Sequence, residues 1–553
     1  MYCGLNLTVR DSTPLEQIAR WRRFSHFTTL GNLLSIIFLT ASILSSQGLI
    51  FTPQDFVTGV GLVSRFPAVY WAGMGVLLIT CTGLGIDSRE HPSSDYLITA
   101  MICGGYLFGF KILVQPLPFA GWTFPPYFAA FSIIQSGHVP LAANSNFYYY
   151  FSLPGYTIDT AMTLIVGKLP GLSLLTIMPI FWICVFPLVV FSLCIRFGLP
   201  KRDAFVAVFF STAVWNYSLA GYEYPRLSAT IFFLFILGLT IGPLSAKIGA
   251  LTAVFFSSLV ITHSVTTIAA LGAVTLISLY QRRWGVVLVS WVVALAWYSY
   301  IATQYIGFGY TSLLEGPIGI IVHTENLFAT GASFTTTFVR YATLFQYVAV
   351  SAVALVVVMM VLLKKFPSPE LPRMRSIVLL MLGCGAILVV YGSSESIYRV
   401  LLYLIFPVAV GFGVALKSSS RTKVLVATVI ISGLVVISPV VNYGLDTYQY
   451  FAPEIGMINF YAPHQVGQTY FYLYEEAGMY LSNYQFGGFD AGVYAPGIAY
   501  NFTAMKSVPV VITSYLSTTI RGPPFSEWSI TSAAKAANLV FDNHYSQVYL
   551  NAV

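Results

Sequence analysis

The sequence predicts an all-α polytopic membrane protein of about thirteen transmembrane helices, followed by a small extracytoplasmic α/β or β domain. Three observations carry this reading. Only 8% of the residues are charged, against roughly 25% in soluble proteins, so most of the surface must face something other than water. Mean hydropathy is +0.77, and apolar runs repeatedly reach the roughly 17–25 residues that cross a bilayer as a helix. From residue 441 onward the apolar runs shorten to strand length.

In chain order, spans are expected at 28–46, 68–86, 96–114, 171–196, 203–220, 226–243, 246–262, 264–281, 284–303, 341–363, 376–392, 396–416 and 423–440. His263 interrupts an otherwise continuous apolar stretch, so the division of 246–281 into two spans rests on it. Two further stretches, 125–137 and 156–171, are amphipathic and too short to span, which suits helices lying in the interface. The stretch 325–346 has the same character. The membrane part thus covers 1–440, with loops at 115–156 and 304–340. The terminal part, 441–553, holds the strand-like "VPVVITSYL", an acidic helical "YEEAGMYLSNY", and "LVFDNHYSQVYL", which reads as a hairpin about Asp542-Asn543.

Charge supplies the orientation. Lys and Arg gather on the cytoplasmic side of membrane proteins. With the N-terminus inside, eighteen of them fall on inner segments and nine on outer ones. The chain is therefore expected to be a multi-pass cell-membrane protein with a cytoplasmic N-terminus and an extracytoplasmic C-terminus, its long connections all outside. The net charge of +7 is scattered over segment ends, which is a topology signal and excludes a nucleic-acid partner. The six cysteines, Cys3, Cys81, Cys103, Cys184, Cys194 and Cys384, form no CxxC pair, so neither a disulfide framework nor a thiolate metal site is expected. The first apolar run begins near Leu30 with no small-residue cleavage site behind it, and no cleavable signal peptide is expected.

Ionisable groups beside membrane helices are costly and mark candidate sites. At outer helix ends these are Asp159, Glu223 with Arg226, His263, and Glu395 with Arg399. Glu395 and Arg399 stand at i and i+4, and either neutralise each other or leave Arg399 to hold a phosphate, whose oxygens guanidinium groups fit in a bidentate way. His263 is either a hydrogen-bonded helix-end histidine or a contact to a lipid phosphate. Asp159 is either a helix N-terminal charge or a general base. The stretch "SIIQSGHVPLAANSNFYYYFSLPGY" (132–156) adds His138 and the aromatic run Tyr148, Tyr149 and Tyr150. No Walker A loop, GxGxxG, HExxH or metal-spaced His/Cys cluster is present, and the triads at Asn216 and Asn501 are weak glycosylation signals.

Several stretches together resemble the GT-C superfamily of polytopic glycosyltransferases, most nearly its archaeal, polyprenyl-phosphate-sugar-dependent members. They are "GLVSRFPAVYWAGM", "SIIQSGHVP" with "YYYFSLPGYTIDTAMTLIVGKLPGLSLL", "VITHSVTT", "ESIYRVLLYLIFPVAV" and the closing "NLVFDNHYSQVYL". The resemblance implies a membrane glycosyltransferase-like protein of protein glycosylation, handling a polyprenyl-phosphate-linked sugar on the extracytoplasmic face. Asp159 or Glu223 would be the base of an inverting transfer. Arg226, Arg399, His263 and His138 would contact the donor phosphate, and Tyr148, Tyr149 and Tyr150 would stack on sugar or prenyl chain. It further implies membrane lipid, a sugar donor and a glycan or protein acceptor as partners. No cofactor follows from the residues themselves; a divalent cation, Mg or Mn, follows from the resemblance alone.

One departure counts against activity. Where the family carries an acidic residue ahead of the "SII" helix this chain has Trp122, with Pro126 near the place of the following His, and no Asp or Glu lies between Asp95 and Asp159. A transfer needs a carboxylate to accept the acceptor's proton. Either another carboxylate (Asp159, Glu223 or Asp55) acts, or the protein binds a lipid-linked glycan without transferring it, or the loop aligns differently. The oligosaccharyltransferase Trp-Trp-Asp signature is also missing. Two other classes stand beside this one: an accessory subunit of a membrane complex, and a transporter. The sequence lacks the paired broken helices in matching halves that many transporters show.

Overall fold

The computed structural model describes residues 14–47, 60–87, 89, 91–114, 124–140, 148–168, 171–215, 224–241, 245–303, 337–366, 370–387, 394–417, 420–443, 470–472, 510–513, 537–542 and 546–551. The membrane part is helical. In order come α1 (Pro14–Ser46), α2 (Ala68–Ile86), α3 (Ser93–Val114), α4 (Phe124–Ser136), α5 (Tyr148–Ser152), α6 (Gly155–Gly167), α7 (Gly171–Arg196) and α8 (Lys201–Val214). Then follow α9 (Tyr224–Ile241), α10 (Ala246–Val260), α11 (Ser264–Tyr280), α12 (Trp284–Tyr300), α13 (Thr337–Leu362), α14 (Leu371–Cys384), α15 (Ser394–Lys417) and α16 (Arg421–Tyr443).

Local chemistry sets many of these starts. Pro67, Pro92, Pro154 and Pro200 stand at the N-caps of α2, α3, α6 and α8, where the missing N–H costs nothing because the first turn has no acceptor for it. Ser245 caps α10 by accepting from Ile248 N–H at 3.3 Å. Among the described residues seven helices are long and apolar enough to cross a membrane: α1 from His26, α2, α3, α7 from Ile177, α13 from Tyr341, α15 from Val400 and α16. The expected thirteen is thus not reached by length. α9 to α12 are shorter apolar helices, and α8 and α14 have only 14 residues each. The reason is visible in α8, which is buried at every position from Asp203 to Val214. A helix enclosed by neighbours meets protein, not lipid, and need not match the bilayer.

α8 is the axis of one group, packing on α2, α3, α7, α13, α15 and α16. α11 is the axis of a second, packing on α9, α10, α12 and α14. The groups join where α14 meets α15 and α7 meets α9. The α11–α14 crossing is close: a Cβ on Gly272 would stand 2.8 Å from Ala386 Cβ and run into Gly383 O. Buried Gln346 of α13 ties the end of α8 by donating to Ala213 O at 3.0 Å. In α3 a π turn at Gly105–Gly109 carries Tyr106, whose O–H donates to Ser35 O at 2.8 Å while its own carbonyl accepts from Tyr70 O–H at 2.9 Å. The outside of the bundle is apolar, with Trp284, Leu288 and Leu295 of α12 and Tyr341, Leu355 and Met359 of α13 exposed. A surface of this kind suits lipid and not water. The protein is accordingly a helical, multi-pass membrane protein.

One sequence expectation changes. The stretch 325–346 is not a separate interfacial helix throughout, because from Thr337 it runs without a break into α13; its earlier part lies outside the described residues. The helical "YEEAGMYLSNY" lies outside them too. In the terminal part, β1 (Tyr470–Tyr472), β2 (Val510–Thr513), β3 (Ala537–Asp542) and β4 (Ser546–Asn551) form one sheet in the order β1-β2-β4-β3. β1 and β2 are parallel, and the other two pairings are antiparallel. β3 and β4 pair across the Asp542-Asn543 position where the hairpin is expected, with a register shift between Leu539 and Phe541; residues 543–545 lie outside the described residues.

Candidate functional site

One end of the bundle carries α4, α5 and α6: α4 packs on both α5 and α6, and α6 also reaches α9. The Ser152–Tyr156 joint is bound to the core by its backbone. Gly155 N–H donates to Ile261 O at 2.8 Å, and Trp297 Nε1–H of α12 donates to Ser152 O at 3.0 Å. A Cβ on Gly155 would sit 3.0 Å from Ile261 O and closer still to Thr262 Oγ1, so glycine is what lets the joint seat on the α10–α11 turn. The aromatic-Pro-Gly stretch is therefore an anchoring device.

That turn presents His263, buried at 4% exposure, as the N-cap of α11. Its Nδ1 accepts from Thr266 N–H at 3.3 Å and lies 2.8 Å from Thr266 Oγ1. Thr266 Oγ1 in turn lies 2.5 Å from the hydroxyl of Tyr403 on α15. The Tyr403 ring meets Phe233 of α9 edge-on, centroids 5.5 Å apart. Arg226, Thr230 and Phe233 share one face of α9 at i, i+4 and i+7, so the buried Arg226 stands about 10 Å along the helix from Phe233, toward this end. Arg399 precedes Tyr403 by one turn of α15. α9 and α15 both start at this end, so the backbones of Arg226 and Arg399 lie beyond the Phe233–Tyr403 contact on the same side. Two buried hydroxyls at the joint, Thr160 Oγ1 and Ser264 Oγ, have no hydrogen-bond partner among the described residues.

The other sequence candidates scatter. Asp159 is on α6, but Tyr156, Thr157, Thr160 and Ala161 form the buried face while Asp159 is exposed on the side of Met162, Ile165 and Val166. Desolvation by its surroundings raises its carboxyl above the ordinary carboxylate range, although the side chain is not enclosed; the surface around it is apolar. His138 is exposed and closes on its own turn, Nδ1 lying 2.9 Å from Ser136 O. Tyr150 is half-buried against Ala129 and Phe151, a packing role. Glu223, and the side chains of Tyr148, Tyr149, Glu395 and Arg399, lie outside what is described.

Sequence reasoning missed Tyr403, Thr266 and Trp297. A signal existed for each of them. A phenol or indole inside an apolar span needs a polar partner, and "THSVT" spaces a capping side chain three residues before its amide. A second polar cluster sits at the opposite end. His91, fully buried, lies 3.1 Å from Asp87 and 3.9 Å from Asp95. Near that end Arg202 pairs with Asp203 at 2.7 Å and Lys417 with Glu370 at 2.8 Å. Among the described residues no group of three His, Cys, Asp or Glu could hold a metal ion. No protein-family model matches the chain, and no curated protein matches it.

Proposed function

We propose that this chain is a GT-C-like membrane protein that handles a polyprenyl-phosphate-linked sugar at the end bearing α4–α6, which is the extracytoplasmic face. The observation that carries the proposal is the grouping there of buried Arg226, the backbone of Arg399 and the His263–Thr266–Tyr403 network. Two guanidinium groups supply charge and bidentate donors for phosphate oxygens, and the apolar exterior gives a prenyl chain a route from the bilayer. Orientation rests on the opposite end being basic, with Arg196, Lys364, Lys365, Arg375 and Lys423 exposed at helix ends. Thirteen crossings remain the reading for 1–440: helices of 15–18 residues lie at the short limit for spanning, and enclosed α8 and α14 need no lipid match. The segment 441–553 is then an extracytoplasmic domain built on the four-stranded sheet.

If the protein transfers sugar, the base is Asp159 or Glu223. A raised carboxyl suits a base working near neutral pH. The divalent cation implied by the resemblance asks for several oxygen ligands. The described side chains at this end offer one carboxylate, Asp159, and do not fit such a site, so no step is routed through a metal. The exposed, outward position of Asp159 favours a second reading, a relative that binds the lipid-linked glycan as an accessory subunit without transferring it. Asp159→Ala and Glu223→Ala, assayed for transfer from polyprenyl-phosphate sugars in membranes, separate the two. Loss of transfer in either variant identifies the base. Transfer retained in both removes these residues, and no transfer by the unaltered protein favours the accessory reading.

A further inference from the structure

We propose that Thr266 and Tyr403 are positioning residues that hold His263 as its neutral Nε2–H tautomer, making the ring an uncharged hydrogen-bond donor to a lipid-linked phosphate. The phosphate part rests on the function proposed above; the positioning part does not. The directions of the bonds follow from one fixed donor. Thr266 N–H points at Nδ1 at 3.3 Å, and a backbone N–H can only donate, so Nδ1 presents its lone pair. The 2.8 Å contact between Nδ1 and Thr266 Oγ1 is then a bond donated by the hydroxyl, which uses its single proton. At the 2.5 Å contact Thr266 Oγ1 can only accept, so the Tyr403 O–H is the donor. The chain runs Tyr403 to Thr266 to His263, and the ring proton is left on Nε2.

The setting agrees with an uncharged ring. His263 caps α11, whose N-terminus carries the positive end of a 17-residue helix dipole, and buried Arg226 of α9 adds a cation on a helix packed against α11. A proton on Nδ1 would face the Thr266 N–H and remove the cap. Charge for a phosphate thus comes from the arginines, and His263 adds a directed donor that shares no proton with the ligand and does not act as the base. Tyr403 crosses from α15 to α11, so the same chain couples donor geometry to the packing of two helices.

The test reads the tautomer directly. Nitrogen-15 spectra of histidine-labelled protein in nanodiscs, with His263→Gln to assign the resonance, are expected to show a single Nε2–H ring at His263. Thr266→Val is expected to give a mixture of tautomers, and Thr266→Ser to restore one, with folding checked by thermal midpoint. Binding of a polyprenyl monophosphate is expected to weaken about tenfold in Thr266→Val and His263→Ala, and to stay within about threefold in Thr266→Ser and His263→Gln, whose amide also donates. An Nδ1–H or mixed ring in the unaltered protein overturns the proposal, as does Thr266→Val with both tautomer and binding unchanged. A pure Nε2–H ring in a protein that binds no polyprenyl monophosphate upholds the positioning and overturns the lipid-phosphate reading.

Discussion

Asp159 shares its face of α6 with Met162, Ile165 and Val166, so exposure there does not mean hydration. Its carboxyl is raised above the ordinary range by desolvation, and the sign of the consequence follows. Between the unfolded value, about 3.9, and the higher folded value the folded protein binds more protons than the unfolded one. Stability therefore falls as pH rises through that window, and the penalty is complete above it. Asp159→Asn is expected to raise the thermal midpoint at neutral pH and to leave it unchanged below the unfolded value. Equal effects at both pH values would mean that the carboxylate carries no desolvation cost. His263 shows the opposite case: a polar ring whose burial is compensated, since both its cap and its side-chain partner are in place.

Among the elements, α11 and α14 depend most on the absence of side chains. Gly272 and Gly383 let the two backbones touch, the small-residue contact that brings membrane helices together by van der Waals packing. Gly383→Val has to force the pair apart and is expected to cost about 1–3 kcal/mol, the usual range for overpacking, measured as a lower thermal midpoint in detergent. Gly433 of α16 serves as the control, because a methyl group added there would meet nothing within 4 Å. Gly433→Ala is expected to be neutral or slightly stabilising, since alanine favours helix over glycine. The prolines inside α7, α15 and α16 are tolerated where surrounding helices can satisfy the backbone groups they free.

For the whole molecule, the exposed apolar faces of α12 and α13 define the surface toward lipid. A cysteine in place of Leu355, in a background without native cysteines, is expected to react with a membrane-permeant apolar maleimide and to resist a charged one. Lys364→Cys, exposed two residues past the end of α13, is expected to react with the charged reagent, and only from the cytoplasmic side. Equal reaction of both positions with the charged reagent would exclude a lipid-facing α13. Reaction of Lys364→Cys from outside would invert the proposed orientation.

Much of the helical architecture was legible in the chain. Apolar run length placed helices at all thirteen expected segments, with α2 matching 68–86 and α7 matching 171–196 end to end, and His263 marked the break between α10 and α11. Those features are local, set by hydropathy, prolines and caps. The sequence could not say which helices reach lipid, because α8 and α12 are both apolar and only packing encloses one and exposes the other. Nor could it foresee the site's partners. Tyr403 and Thr266 lie 137 residues apart, and Asp159, one turn along from the Gly155 joint, points outward because helical phase gives the inner face to Tyr156 and Thr160. Composition and short-range pattern determined a helical membrane protein. Which polar groups meet was decided by the tertiary structure, since a buried hydroxyl or imidazole must find its hydrogen bonds wherever the fold brings a partner.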